Sequence, residues 1–238
     1  MRIDILSIFT DSYFAPLQDS ILKRAQEQNL ISILYHNLRD YTTDFHKTVD
    51  DRPYGGGPGM VFKPEPLYKA IRDIAKDGCT MIMPSPEGTV LGQDTVKKLA
   101  VQPHLFFICG HYEGIDARIS DLFPIEKISI GDYVITSGSL ATMIIIDAVV
   151  RQIPGVVGCG ESVEQDSFYS GLLDHPHYTR PAEFMGLKVP EVLLSGNHKE
   201  IEQWRFEQSQ SLTKSKRPDL WLKYIRLQDD IQFKNKEK

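Results

Sequence analysis

The sequence predicts an α/β domain on a mostly parallel sheet, and three observations predict it. Short apolar runs alternate with segments of helical periodicity from the N-terminus onward. One run, residues 104–110 (HLFFICG), is continuously apolar, as in strands covered on both faces by helices. Three loops of unusual composition, 84–88 (PSPEG), 110–114 (GHYEG) and 130–133 (IGDY), lie where parallel sheets collect ligands, at the carboxyl ends of strands.

The elements follow in order. Residues 2–8 (RIDILSI) alternate and then finish apolar, which reads as an opening strand. Asp11 is placed to cap a helix in which Phe14, Leu17, Ile21 and Ala25 share one face. Residues 30–36 (LISILYH) are a second strand. Residues 53–60 hold four glycines and two prolines, a composition that excludes regular structure. That loop matches neither GxGxxG nor the phosphate loop, and Asp50, Asp51, Arg52 and Tyr54 beside it are unlike a plain spacer. Residues 63–78 read as a helix with proline near its start and Gly78 past its end; a short strand (CTMIMP), a turn (SPEGTVL) and another helix (QDTVKKLA) follow. Residues 129–139 are short and rich in small side chains, so the backbone there can approach a ligand closely. Residues 140–150 form a buried helix with Ser139 as its N-cap. Beyond Gly158 the chain is polar and aperiodic, then helical again from Asn197, with a further short helix at RPDLWLKYI.

Composition narrows the function. The chain has 238 residues, 41% of them hydrophobic, enough for a sizeable core without staples. Cys79, Cys109 and Cys159 form no CxxC pair and suggest neither disulfides nor a zinc site. No signal peptide or membrane span of about 18 apolar residues is apparent, so a cytoplasmic location is expected. The formal charge of −5 excludes indiscriminate coating of nucleic acid. Residues 199–238 nevertheless carry 10 Lys and Arg against 7 Asp and Glu, either a solvated helical surface or a local contact for a polyanion. The pair His175 and His177 has no further ligand at suitable spacing, which argues against zinc there.

Taken together, 50–60 (DDRPYGGGPGM), 110–116 (GHYEGID), 129–134 (SIGDYV), 153–156 (IPGV), 166–168 (DSF), 177–181 (HYTRP) and 194–198 (LSGNH) resemble the bacterial tRNA (guanine-N1)-methyltransferases, the TrmD family of the SPOUT superfamily. The resemblance covers essentially the whole chain. It implies an α/β domain with a deep C-terminal trefoil knot over 1–158, a mobile linker over 159–171 and a small all-helical, tRNA-binding domain over 172–238. It implies S-adenosylmethionine as cofactor, held by Gly110, Tyr112, Glu113, Gly114, Ile130, Gly131, Asp132, Tyr133, Val134, Ile135 and Gly138, with Ser85 and Pro86 as a further wall. Glu113 is assigned the methionine end or a magnesium ion, and Asp174 the methionine amine.

By the same resemblance Asp166 is the general base at guanine N1 and Arg151 the cation at O6. From the residues alone Asp166 reads better as a turn-capping aspartate, and Arg151 reads also as a helix-terminal arginine offsetting the dipole; the Asp-Ser-Phe match is what favours the base. Arg52, Tyr54, Gly57, Pro58 and Gly59 are assigned to RNA, and the protein is expected to be a homodimer with composite sites. Two departures stand out: Ser137–Gly138–Ser139 where most members carry Gly-Gly-Glu, and Ala141 where proline is common. They keep open a non-catalytic RNA-binding knot protein, beside a third reading as a SPOUT enzyme acting on ribose or rRNA.

Overall fold

The computed structural model describes residues 1–9, 11–157 and 166–236. The chain divides into two compact units, Met1–Gly158 and Cys159–Lys238. Of the expected linker, residues 159–165 lie outside the described residues, whereas 166–172 form successive turns in which Phe168 N donates to Leu172 O (2.7 Å).

In the first unit, β1 (Arg2–Ser7), β2 (Ser32–Asn37), β5 (Thr80–Val90), β6 (His104–Ile108) and β7 (Ile125–Ser129) form one sheet in the order β2-β1-β6-β5-β7, all parallel. The two-residue strands β3 (Asp50–Asp51) and β4 (Val61–Phe62) pair antiparallel at the base of the glycine-rich loop. Side chains alternate across a strand, and the core records it. Leu105, Phe107 and Cys109 belong to one cluster with helices α1 (Ser20–Glu27), α3 (Gln93–Ala100) and α5 (Gly138–Val150). Phe106 and Ile108 belong to the other, with α2 (Pro64–Ile74) and α4 (Arg118–Leu122). Both faces are therefore covered, which is why β6 is apolar without interruption.

Three elements differ from the sequence expectation for identifiable reasons. The first helix is broken into a 3-10 stretch, Asp11–Gln18, and α1, because Phe14 leaves helical angles and Pro16 lies inside. Asp19 restarts it, its side chain accepting from Ser20 N. Strand β5 does not end at Pro84: it resumes pairing at Thr89 across a bulge, so the loop 85–88 is an excursion within one strand. Helix α5 is capped by Ser137, not Ser139, whose hydroxyl is buried 3.2 Å from that of Ser7. The last strand and α5 are joined across the sheet. The chain leaves β7 at one edge and starts α5 beside the end of β6, where Gly138 N donates to Gly110 O (3.0 Å).

The second unit is helical, with α6 (Glu191–Leu194), α7 (His198–Lys216) and α8 (Pro218–Lys236), and carries in addition a short antiparallel pair, β8 (Glu183–Phe184) with β9 (Leu187–Lys188). Asn197 caps α7 by accepting from Glu200 N. Pro at the first position suits α8, which runs well beyond the nine residues expected to be helical. No helix among the described residues is long and apolar enough to cross a membrane.

Within β1, Asp4 is fully buried. His36 Nε2 and His104 Nε2 each lie 2.6 Å from its carboxylate, and Arg2 donates twice, at 2.7 and 3.0 Å. Burial alone would raise the Asp4 pKa, but the hydrogen bonds from His36, Arg2 and His104 outweigh it and hold the carboxyl well below the usual carboxylate range. A depressed folded pKa contributes stability fully present above the unfolded value, about 4, and lost as pH falls further. Asp4→Asn is therefore expected to destabilise the protein by about 3 kcal/mol at neutral pH, on the scale of a broken buried pair, and to flatten the loss of stability in acid. Urea melts of both proteins between pH 7 and pH 3 check this; parallel acid limbs would contradict it.

Candidate active site

The three loops singled out by composition meet in one cavity of about 340 Å³ in the first unit. Its walls come from the carboxyl ends of β5, β6 and β7 and from the turn into α5, the position at which a parallel sheet exposes backbone to a ligand. Ser85, Pro86, Gly110, Tyr112, Glu113, Gly114, Ile130, Gly131, Tyr133, Val134, Ile135 and Gly138 all line it. Asp132 is exposed and does not.

Close approach of backbone shapes the cavity. A Cβ on Gly138 would stand 3.0 Å from Gly110 N and 3.1 Å from Gly110 O, so this close approach depends on glycine at 138. Gly131 (φ +139°) and Gly114 (φ +114°) take left-handed backbone that other residues adopt rarely. Ser137 stands where its hydroxyl accepts from Ser139 N, and it lines the cavity, whereas Ser139 is 1% exposed and points to Ser7 instead. The carboxylate missing at position 139 is thus missing from the core side of α5 and not from the cavity wall.

Sequence reasoning missed several wall residues. Lys127 and Glu87 pair with each other across the β5 excursion. Ser120 also lines the cavity, but nothing in its local pattern marks it; Thr136, within the small-residue stretch 129–139, and Ala141 line it too. His111 has a signal, since it lies inside the GHYEGID motif. Its Nδ1 is buried and, among the described residues, has no hydrogen-bond partner, an expense that a polar ligand in the cavity would relieve.

The glycine-rich loop is docked beside this wall. Glu113 N donates to Met60 O (3.0 Å), Phe62 N to Gly114 O (3.0 Å) and Asp116 N to Phe62 O (3.0 Å). A Cβ on Gly59 would lie 2.5 Å from Glu113 Oε1, so Gly59 is the point of closest contact. Gly55, Gly56, Gly57 and Gly59 all have positive φ, and they leave Arg52, Tyr54 and Pro58 exposed.

Arg151 is the exposed C-cap of α5. Asp166 and Asp174 belong to the second unit, where both line a separate cavity of about 410 Å³ with His175, Glu202, Arg205 and Phe206. There the sequence argument against a third ligand for His175 and His177 is corrected. The Asp174 carboxylate joins them, with one ligand atom from each of the three residues within 4.8 Å of the others.

A parallel sheet whose strand ends enclose a glycine-walled cleft with a buried, unsatisfied ring nitrogen defines an α/β protein with a cleft suited to a compact polar ligand. A family model described as tRNA (Guanine-1)-methyltransferase TrmD matches residues 1–223. The chain is 54% identical over 220 residues to the tRNA (guanine-N(1)-)-methyltransferase of Carboxydothermus hydrogenoformans, covering 92% of this chain and 87% of that one. It is 47% identical over 233 residues to that of Dictyoglomus turgidum (98% and 95% covered) and 50% identical over 223 residues to that of Bacillus cereus strain B4264 (92% and 91% covered). The chain belongs to the TrmD family of tRNA (guanine-N1)-methyltransferases.

The Gly110–Gly138 contact gives a test of the cavity's shape. Gly138→Val presses on the Gly110 backbone, and an overpacking cost of about 1–3 kcal/mol borne by the cofactor-bound form corresponds to a loss of about five- to 150-fold in cofactor affinity. Calorimetric titration with S-adenosylmethionine, with circular dichroism as a check on folding, measures it. A folded variant with unchanged affinity would separate this contact from ligand binding.

Proposed function

We propose that this chain transfers the methyl group of S-adenosylmethionine to N1 of guanosine 37 of tRNA, beside the anticodon. Family membership over residues 1–223 carries the reading, and the glycine-walled cavity supports it. Its location in the cytoplasm follows from a tRNA substrate. The return of the chain from β7 to the end of β6 supports a trefoil knot in the first unit.

Guanine N1 carries a hydrogen and a delocalised lone pair, so it becomes a nucleophile only as that proton leaves. An ionised carboxylate suits the task because it only accepts hydrogen bonds, and can face both N1–H and the exocyclic amine. We assign Asp166 to take the proton. Adenine has no hydrogen at N1, and the same carboxylate repels it. Negative charge then grows on O6, and Arg151 is assigned to stabilise it with a guanidinium that stays charged. The cofactor, when bound, supplies a methyl group on a positively charged sulfur.

Its adenosine end is assigned to backbone around Gly110 and at Ile130, Gly131, Tyr133, Val134 and Ile135, with Ser85 and Pro86 as a wall, because all of these line the cavity. Tyr112, Glu113, Gly114 and Gly138 complete that wall. The walls hold two carboxylates, Glu113 and Glu87, and Glu87 is paired with Lys127; Glu113 is therefore the group we assign to the methionine end or to a magnesium ion. Asp174 is assigned to the methionine amine and the exposed loop at Arg52, Tyr54, Gly57, Pro58 and Gly59 to the RNA.

A homodimer is part of the proposal. On α5, Leu140 and Ile144 are one turn apart and both exposed, 38% and 49%, with Asp147 exposed a turn further on, while the helix's other apolar residues are buried or partly buried; Val134, in the loop before the helix, is 91% exposed. Such a face is unfavourable in water and favourable against a second copy of itself.

Asp166→Asn keeps the shape of the base and removes most of its basicity. Methyl transfer from labelled cofactor to tRNA transcripts is expected to fall by about 10²–10⁴, with cofactor affinity little changed. Near-normal turnover would remove Asp166 from the mechanism. The dimer has its own test. Asp166→Ala lacks the base, and Gly131→Trp fills the cavity at a backbone angle that only glycine takes easily. If each site draws its base from the other subunit, a purified mixed dimer of the two has one site with both defects and one with neither. It should recover about half the wild-type activity while each folded homodimer is inactive. A mixed dimer as inactive as its parents would contradict the composite site.

A further inference from the structure

We propose that Gly59 is a positioning residue for Glu113, through which the glycine-rich loop sets where that carboxylate stands in the cavity wall. The proposal rests on the assignment of Glu113 to the cofactor, and it gives a second role to a glycine assigned above to the RNA.

The loop has two parts of unlike character. An added Cβ on Gly55, Gly56 or Gly57 would meet nothing within 4 Å, so positive φ alone accounts for glycine at the tip. Gly59 is different. Its φ is also positive, at +82°, but an added Cβ there would stand 2.5 Å from Glu113 Oε1, 2.7 Å from its Cγ and 2.9 Å from its Cδ. The Glu113 side chain therefore lies along the bare face of Gly59 for most of its length, and not by its mobile end alone. Glu113 lines the cavity, and Gly59 does not.

Backbone contacts tie the same two segments together. Glu113 N donates to Met60 O, Phe62 N to Gly114 O and Asp116 N to Phe62 O, each at 3.0 Å, and Phe62 forms an isolated parallel bridge with Ile115. Phe62 is buried and sets its ring edge-on to that of Tyr112, with centroids 6.1 Å apart. Tyr112 needs such support. Its φ of +56° is costly for a residue with a side chain, and persists only where the surroundings hold it. The wall at 112–114 is thus held in shape by residues 59–62, and does not stand as a turn by itself.

The gain from this arrangement is preorganisation. A glutamate free in water loses rotamer freedom when it takes up a ligand, whereas one already laid along Gly59 has lost part of that freedom beforehand. A methyl group at position 59 lifts the side chain from this bed without entering the cavity. It acts on the cofactor only through Glu113.

The test is calorimetric titration of S-adenosylmethionine into the full chain without RNA, for wild type, Gly59→Ala, Glu113→Ala and the double variant. Gly59 is exposed in a loop, so the variants are expected to fold, and circular dichroism checks this. Glu113→Ala is expected to weaken the cofactor by about tenfold or more, as the loss of a charged contact. Gly59→Ala alone should weaken it by about fivefold or more, a coupling of the size found between touching residues. Glu113→Ala removes all three atoms that the methyl group would meet, so adding Gly59→Ala to it should change the affinity by less than about twofold. The strain of alanine at positive φ is present in both backgrounds and cancels in the comparison. If Gly59→Ala binds like wild type while Glu113→Ala is weakened, the assignment of Glu113 stands and its positioning by Gly59 is overturned. An equal loss from Gly59→Ala in both backgrounds overturns it too, since the effect then does not pass through Glu113. If Glu113→Ala binds like wild type, the cofactor assignment of Glu113 fails and the proposal fails with it.

Discussion

The backbone of Gly138 rests on the backbone of Gly110, and much of the first unit follows from that contact. It brings the start of a buried helix to the end of a central strand, though the preceding strand lies at the sheet's edge. A Cβ on Gly138 would press on the Gly110 backbone, and the residues around the contact are small: Ser137 before α5, Ser139 and Ala141 on it, Ser7 at the end of β1 and Cys109 just past β6. Their polar atoms are satisfied locally, with Ser139 Oγ 3.2 Å from Ser7 Oγ and Cys109 Sγ 3.2 Å from Thr142 Oγ1. Burial pushes the Cys109 thiol up to about 11, which leaves it protonated and inert at neutral pH. The cavity is what remains beside this junction, and a cleft made of backbone offers donors and acceptors without side-chain entropy to lose.

Another part of the same sheet, away from the cavity, is organised by charge instead. Arg2 and His104 stand at the amino ends of β1 and β6, Asp4 in mid-strand and His36 near the carboxyl end of β2, so three adjacent strands are tied together away from the cavity. This division is physically sensible. A buried carboxylate satisfied by several donors resists rearrangement, and its cost in desolvation is met by partners that the fold already supplies. Placing such a network at the ligand end would fill the space with fixed charge.

How much of this was legible in the sequence depends on how far each signal reaches along the chain. Strand β6 could be read because covering on both faces writes itself into consecutive residues. The loops 84–88, 110–114 and 130–133 could be read because glycine and proline in such density have few other uses, and all three reach the same cavity. The break between the 3-10 stretch and α1 could not be read from periodicity, since Phe14, Leu17 and Ala25 are buried in the same cluster on either side of it. The cap of α5 was misplaced for a similar reason: Ser137 and Ser139 are equally good caps in isolation, and only the partner Ser7, 132 residues from Ser139, decides between them. Wall residues such as Ser120 and Lys127 carry no local mark at all.

The substituted turn SGS illustrates how a departure from a family pattern is weighed by geometry. Position 139 faces the core, at 1% exposure, and a serine there makes a neutral hydrogen bond to Ser7. A glutamate at that position would have to find a partner in the core or turn outward, so its absence here removes a buried charge and adds a small satisfied group. Position 137 faces the cavity, and serine adds there a hydroxyl that accepts from Ser139 N. Neither change adds bulk at the Gly110–Gly138 contact, where bulk would matter. A chain that had lost its ligand would be free to accumulate larger residues at that contact and to fill the cleft. This one keeps glycine at 110, 114, 131 and 138, and keeps the His111 nitrogen buried and unsatisfied among the described residues. That combination is costly for a protein with an empty cleft and sensible for one that fills it, which is why the substitutions weigh little against catalysis.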